Sequence, residues 1–320
     1  TSCCCHRLLA LMLVPNYLKK GDTIAIVATA RKVQREELQE GIHCIQSYGF
    51  HVVLGASIGA SDNQFAGDDS SRAADLQQFL DDPHIQAIWV ARGGYGTVRI
   101  IDRLDFTHFF QKPKWIIGYS DVTVLHNTLH NIGWASLHAP LVFDLHKQPT
   151  LIQNQVFHAL TGKDISYPIP VHAHNKPGQA TGILTGGNLS ILYAMMGSAT
   201  AVDYTGKILF IEDLDEYLYH IDRMILGLKR SGVFKNLAGL LVGGMTDMRD
   251  NTRSFGFKTD NPFGKTPQQI IREAVSDYDF PVCFDFPAGH ISSNYPLIFG
   301  KKVTLEVTSQ QVQLEILPTT

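Results

Sequence analysis

Short apolar runs alternate with amphipathic stretches along the first half of the chain. Thr23–Ala28 (TIAIVA) is β-branched and apolar, the pattern of a buried strand. Gln34–Tyr48 follows at helical spacing, with Leu38, Ile42 and Ile45 on one face, and stops at Gly49. His51–Leu54, Ala87–Val90 and Trp115–Ile117 repeat the strand pattern. Ser71–Leu80 and Val122–Asn131 repeat the helical one. Strands separated by helices predict a parallel sheet covered on both faces.

The stretch 146–182 loses this rhythm. It carries Pro149, Pro168, Pro170 and Pro177, with His172 and His174 expected at the surface, and reads as a crossover. Pattern then returns. Helices are expected at Leu189–Met196, Leu218–Ser231 and Pro267–Val275, and strands at Lys207–Ile211 and Leu237–Val242. Alternating Lys302–Val307 and Gln311–Leu317 flank a polar turn at Ser309-Gln310, a hairpin signal. The expected fold class is therefore α/β. An N-terminal Rossmann-like parallel-sheet domain (15–148) is joined by a linker (149–182) to a second α/β domain with a β-rich part (183–320).

Composition supports this reading and narrows function. A length of 320 residues suits two domains, and 44% hydrophobic residues against 18% charged ones give each a core. A net charge of −3 without a basic block argues against nucleic-acid binding. Of the 5 cysteines, three stand together at 3–5. The others, Cys44 and Cys283, fit packing positions, so neither a disulfide framework nor a CxxC zinc pattern is available. Residues 1–14 contain an apolar run from Leu8 to Val14, far short of the about 20 residues of a membrane span. They read as a leader or extension ahead of the fold.

Four segments could carry chemistry. In Ile116-Ile-Gly-Tyr-Ser-Asp121 a strand ends, Gly118 turns the chain and Ser120 opens a helix. Ligands of open α/β sheets sit at that edge. The N–H of Asp121 would face an oxyanion there, although Ser120 or Asp121 could simply cap the helix. Ala91-Arg-Gly-Gly-Tyr-Gly96 is a second strand-to-helix turn, whose backbone could hold an oxyanion or phosphate. Glu212 ends an apolar strand and leads an acidic cluster with Asp213, Asp215 and Glu216, which could hold a hard cation or supply one working carboxylate. His290 follows Gly289 in a loop of small residues, suited to a general base. His126 and His130 have the i, i+4 spacing of a zinc pair, without the glutamate of H-E-x-x-H or an evident third ligand.

Taken in order, these segments resemble the murein tetrapeptide LD-carboxypeptidases, serine peptidases whose relatives include microcin self-immunity peptidases. The matching stretches are Tyr17–Ala28, Ala91–Gly96 with Asp102–Asp105, Ile117–Thr123, Gly186–Ser190, Ile211–Asp213, Tyr219–Met224 and Gly289-His290. The resemblance implies Ser120 as nucleophile, Glu212 as carboxylate and His290 as base, with backbone oxyanion donors at Asp121, Gly93 and Gly94. Arg92, Tyr95 and Asn188 are candidates for substrate binding. It also implies a murein peptide substrate that loses a terminal D-alanine, a cytoplasmic homodimer, and no metal, other cofactor or membrane partner. Two alternatives remain: a peptidase acting on a microcin-like conjugate, and a phosphate- or nucleotide-binding module in which Ser120 is only a cap.

Overall fold

A computed structural model describes residues 12–318. The expected α/β class is what the chain adopts: two six-stranded sheets with helices packed against them. In chain order the first part contains β1 (Thr23–Val27), α1 (Arg35–Ser47), β2 (His51–Leu54), α2 (Asp69–Asp81), β3 (Ala87–Val90), β4 (Trp115–Gly118), α3 (Thr123–Asn131), β5 (Ser136–His138), α4 (Val142–Leu145) and α5 (Thr150–Thr161). The second contains β6 (Gly178–Asn188), α6 (Leu189–Ala194), β7 (Lys207–Leu214), α7 (Leu218–Arg230), β8 (Gly239–Thr246), α8 (Pro267–Ala274), β9 (Val282–Cys283), β10 (Leu297–Phe299), β11 (Lys302–Val307) and β12 (Val312–Ile316).

The first sheet has the order β10-β5-β4-β3-β1-β2 and is parallel except for β10. That edge strand comes from late in the chain and pairs antiparallel with β5, Leu297 opposite His138. The second sheet has the order β12-β11-β6-β7-β8-β9, with β6 to β9 parallel. The expected C-terminal hairpin, β11 and β12, completes it antiparallel against β6.

Local sequence explains the element ends. Asp68 accepts the N–H of Ser71 and starts α2 two residues before the expected position. Thr266 and Gln269 form a reciprocal capping box on α8, with Pro267 in its first turn. At the far end of α2, the buried Lys114 ammonium donates to the carbonyls of Phe79 and Asp82, and burial pushes its pKa down to about 8.

The stretch 149–182 is less irregular than its prolines suggest. It holds the whole of α5, with Ile152, Val156, Phe157 and Leu160 buried, and the start of β6. His172 and His174 are not fully exposed as expected. Both are half-buried and pack against Phe284 at ring distances of 5.6 and 6.2 Å. Of the expected leader, residues 1–11 lie outside the described residues. Leu13 is already part of the fold, bridged to Trp134.

One apolar cluster spans both parts. It runs from Val90 and Ile116 in the first sheet, through Leu125 and Leu129 of α3, to Leu189, Leu209 and Ile225. Helix α3 is thus shared packing, and β6 approaches its first turn very closely. A Cβ on Gly187 (φ +143°) would meet Thr123 Oγ1 at 2.3 Å, so only glycine fits. The Thr123 hydroxyl accepts the Asn188 N–H at 3.0 Å, tying the start of α3 to the end of β6.

Candidate active site

The site lies at the C-terminal ends of the parallel strands of both sheets. β4 ends at Gly118 (φ +152°), where a Cβ would strike Val122 Cγ2 at 2.8 Å. Ser120 then adopts φ +65°, a left-handed conformation unusual for a non-glycine residue, and begins a single 3₁₀ turn, Ser120–Val122, that leads into α3. This sharp turn presents the side chain at the sheet edge. A Cβ on Gly93 would lie 3.5 Å from Ser120 Oγ, so the glycine turn after β3 borders the serine directly.

Asp121 binds the two turns together. Its Oδ2 accepts the Thr97 N–H at 2.8 Å, and burial raises its pKa. His126 braces the same region. Its Nε2–H donates to the Gly118 carbonyl and its Nδ1 accepts from the Ser136 hydroxyl, both at 2.8 Å. Burial pushes its pKa down to about 4, so the ring is neutral and committed to structure. The i, i+4 spacing with His130 is thus not a free ligand pair, since both His126 nitrogens are already used.

The acid–base side comes from the second sheet. Glu212 stands fully buried near the end of β7, in register with Asn188 of β6. Its Oε2 receives His290 Nδ1–H at 2.6 Å and the His290 backbone N–H at 3.1 Å. A carboxylate only accepts, which places the shared proton on Nδ1 and leaves Nε2 for proton transfer. Gly289 (φ +105°) is required here, since its Cβ would sit 2.7 Å from Glu212 Cβ. Thr246 Oγ donates to the His290 carbonyl, and Asn294 Oδ1 accepts the Gly289 N–H. Burial by itself would lower the His290 pKa, but the attraction and hydrogen bond of Glu212 outweigh it and the net shift is upward. The two sides meet through Tyr119, whose ring lies 4.7 Å from the His290 ring, centroid to centroid.

Comparison with known proteins identifies the family. Residues 24–139 match the LD-carboxypeptidase N-terminal domain and residues 181–305 its C-terminal domain. This chain belongs to the LD-carboxypeptidase family. It is 30% identical over 308 residues to a Bacillus subtilis protein named "probable murein peptide carboxypeptidase", covering 94% of each chain. It is 26% identical to the murein tetrapeptide carboxypeptidase of Pseudomonas aeruginosa, over 88% of this chain and 92% of that one. The solved muramoyltetrapeptide carboxypeptidase of Oxalobacter formigenes superposes with a TM-score of 0.80 at 26% identity, covering 92% of this chain and 99% of that one. The microcin C7 self-immunity protein MccF of Escherichia coli is 24% identical, over 97% and 96% of the two chains.

In this carboxypeptidase the remaining candidates are distributed unevenly. Asn188 is buried. Its Nδ2 donates to Asp213 Oδ1 at 2.9 Å and Glu212 Oε1 at 3.4 Å, so it serves the carboxylates. Arg92 is paired with Glu37 at 3.1 Å and lies over the Phe143 ring at 4.4 Å. Tyr95 is half exposed. The acidic cluster diverges instead of converging on a cation. Asp213 accepts from Asn188, Ser190 and Leu214, Asp215 pairs with Arg249, and Glu216 with His220. Among the described residues no three His, Cys, Asp or Glu side chains are grouped to hold a metal, and no helix is long and apolar enough to cross a membrane. Burial and the neighbouring Glu212 push the Asp213 pKa up to about 7.

Sequence reasoning missed Thr97 and the part Asn294 plays at Gly289, and it read Asp121 as an oxyanion donor or helix cap, not as the carboxylate between the two turns. Arg31 was also missed: its side chain lies along Gly94 with Cβ 3.0 Å from where a Gly94 Cβ would stand, and it is exposed.

Proposed function

We propose that this carboxypeptidase hydrolyses the L,D-amide bond before the terminal D-alanine of a murein tetrapeptide, through Ser120, His290 and Glu212. The observation that carries the reading is the 2.6 Å Glu212–His290 pair packed against the Tyr119-Ser120 turn. His290 Nε2 takes the Ser120 hydroxyl proton as Oγ bonds to the carbonyl carbon. Glu212 holds the tautomer and offsets the imidazolium charge. The backbone N–H groups of Asp121 and the Gly93-Gly94 turn receive the oxyanion, each such donor contributing about 3–4 kcal/mol where measured. His290 returns its proton to the amine nitrogen as the C–N bond breaks, releasing D-alanine. Water, deprotonated by the same imidazole, then opens the acyl-enzyme.

A terminal carboxylate needs a cation or a backbone nest. With Arg92 engaged by Glu37, Arg31 is the side chain we place there: it borders the oxyanion turn and has no ion pair among the described residues. The reading carries with it a cytoplasmic homodimer.

Incubation with purified murein tetrapeptide, followed by mass analysis, tests the proposal. Stoichiometric tripeptide and D-alanine are expected, and a folded sample that releases neither refutes it. The near full-length match to MccF favours a second reading, a microcin-like peptide conjugate as substrate. A higher kcat/KM on such a conjugate than on the tetrapeptide would select that reading.

A further inference from the structure

Acyl transfer as described makes no use of Tyr119, yet this residue touches the base. Its ring packs on the His290 imidazole with planes inclined by 50°, and also meets the His138 imidazole edge-on at 5.7 Å. Its hydroxyl donates to Asp144 Oδ2 at 3.1 Å. Asp144 belongs to α4. Its other oxygen, Oδ1, is sealed from solvent and has no hydrogen-bond partner among the described residues. Keeping a carboxylate half satisfied away from water is costly, and a phenylalanine at 119 would fill the same space without one.

What Tyr119 could supply follows from how His290 is held. The imidazole sits on a loop rich in small residues, Ala288-Gly289-His290-Ile291-Ser292-Ser293, and among the described residues its ring is hydrogen-bonded through Nδ1 alone. One hydrogen bond fixes one atom of the ring and leaves the plane free to tilt. An aromatic wall on the face removes that freedom, provided the wall itself is fixed.

We propose that Tyr119 and Asp144 are a positioning pair for His290: Asp144 anchors the Tyr119 hydroxyl, and the anchored ring keeps the imidazole on Glu212 with Nε2 directed at the Ser120 turn. The inference rests on the reading of His290 as the base. Tyr119 directly follows β4 and Asp144 lies in α4 beyond the neighbouring β5, whereas Glu212 is on β7 and His290 on the loop between β9 and β10. The pair thus sets the proposed base against the turn that carries Ser120.

Three variants test it, read by kcat, by KM and by the downfield Nδ1 proton resonance of His290, identified by its loss in Glu212→Gln. Tyr119→Phe and Asp144→Asn should each lower kcat about 10-fold with KM within about 2-fold, and the double variant should be no worse than either, because both break one link. Tyr119→Leu, which removes the wall, should cost about 100-fold in kcat. The Nδ1 resonance should broaden in all three. Wild-type kcat and a sharp resonance in both Tyr119→Phe and Asp144→Asn would overturn the proposal, as would additive losses in the double variant. These two near-isosteric changes decide the matter if Tyr119→Leu does not fold. If the wild type cleaves no tetrapeptide, the functional reading fails and the resonance alone still judges the pair.

Discussion

The proposed nucleophile and the proposed base are held in place by different physics. On the first sheet, backbone conformation does the work. Gly94, Gly96, Gly118 and Ser120 all have positive φ within one pair of strand-to-helix turns. A left-handed non-glycine residue costs about 1–2 kcal/mol, which the packed surroundings must supply. On the second sheet, side chains do the work. Glu212, Asn188, Asp213 and His290 form a continuous hydrogen-bonded chain, with Thr246 and Asn294 fixing the loop. Strain holds the proposed nucleophile at the sheet edge, and a buried network holds a charge steady. The two halves should therefore answer differently to substitution.

The largest effect expected is from Ser120→Ala. Activity should fall by about 10⁴-fold or more while the melting temperature stays put, since alanine inherits the same strained φ. A Ser120→Ala protein that still releases D-alanine breaks the assignment. Glu212→Gln should cost about 10³–10⁴-fold in kcat and also lower the melting temperature, because a buried network loses its acceptor. Equal thermal stability in the two variants would erase the contrast between the halves.

The pH profile comes next. His290 must be neutral to act, and Glu212 raises its pKa. Activity should therefore be lost as pH falls through a value above the ordinary imidazole value of about 6.5, and this limb should move to lower pH in Glu212→Gln. The sign for stability is opposite. The ion pair stabilises fully below the unfolded imidazole pKa and is lost as pH rises through the raised folded one. EDTA should leave the rate unchanged. Arg31→Ala should lower kcat/KM about 10-fold on the tetrapeptide and leave a C-terminally amidated analogue unaffected; equal losses on both would remove Arg31 from carboxylate recognition. The smallest effect is Ser120→Gly, which should raise the melting temperature by about 2 °C in an inactive protein by relieving the positive φ. No rise would mean the turn is not strained.

Much of this was readable from the chain alone, for reasons that differ by segment. The apolar runs of β1, β3 and β4 are buried on both faces and read as continuous hydrophobic strands. The Ser120 turn was visible because Gly118 and a following helix punctuate it. Short strands escaped. β5 and β10 have three residues each, too few for a period to register. Helix α5 was hidden by the prolines around it, although its buried Ile152, Val156, Phe157 and Leu160 have helical spacing. Asn188 was expected at the substrate and is instead spent on two carboxylates, a distinction made by register across β6 and β7 and not by any local signal. Tyr119 and Asp144 are 25 residues apart, and nothing short of the fold brings them together.

The antiparallel edge strand β10 has a consequence for how the enzyme comes into being. It is made long after β1 to β5, and it closes the open side of their sheet. His290 precedes it by only seven residues, so pairing of this strand with β5 brings the proposed base toward Ser120. A chain truncated before β10 should therefore carry Ser120 without a docked imidazole.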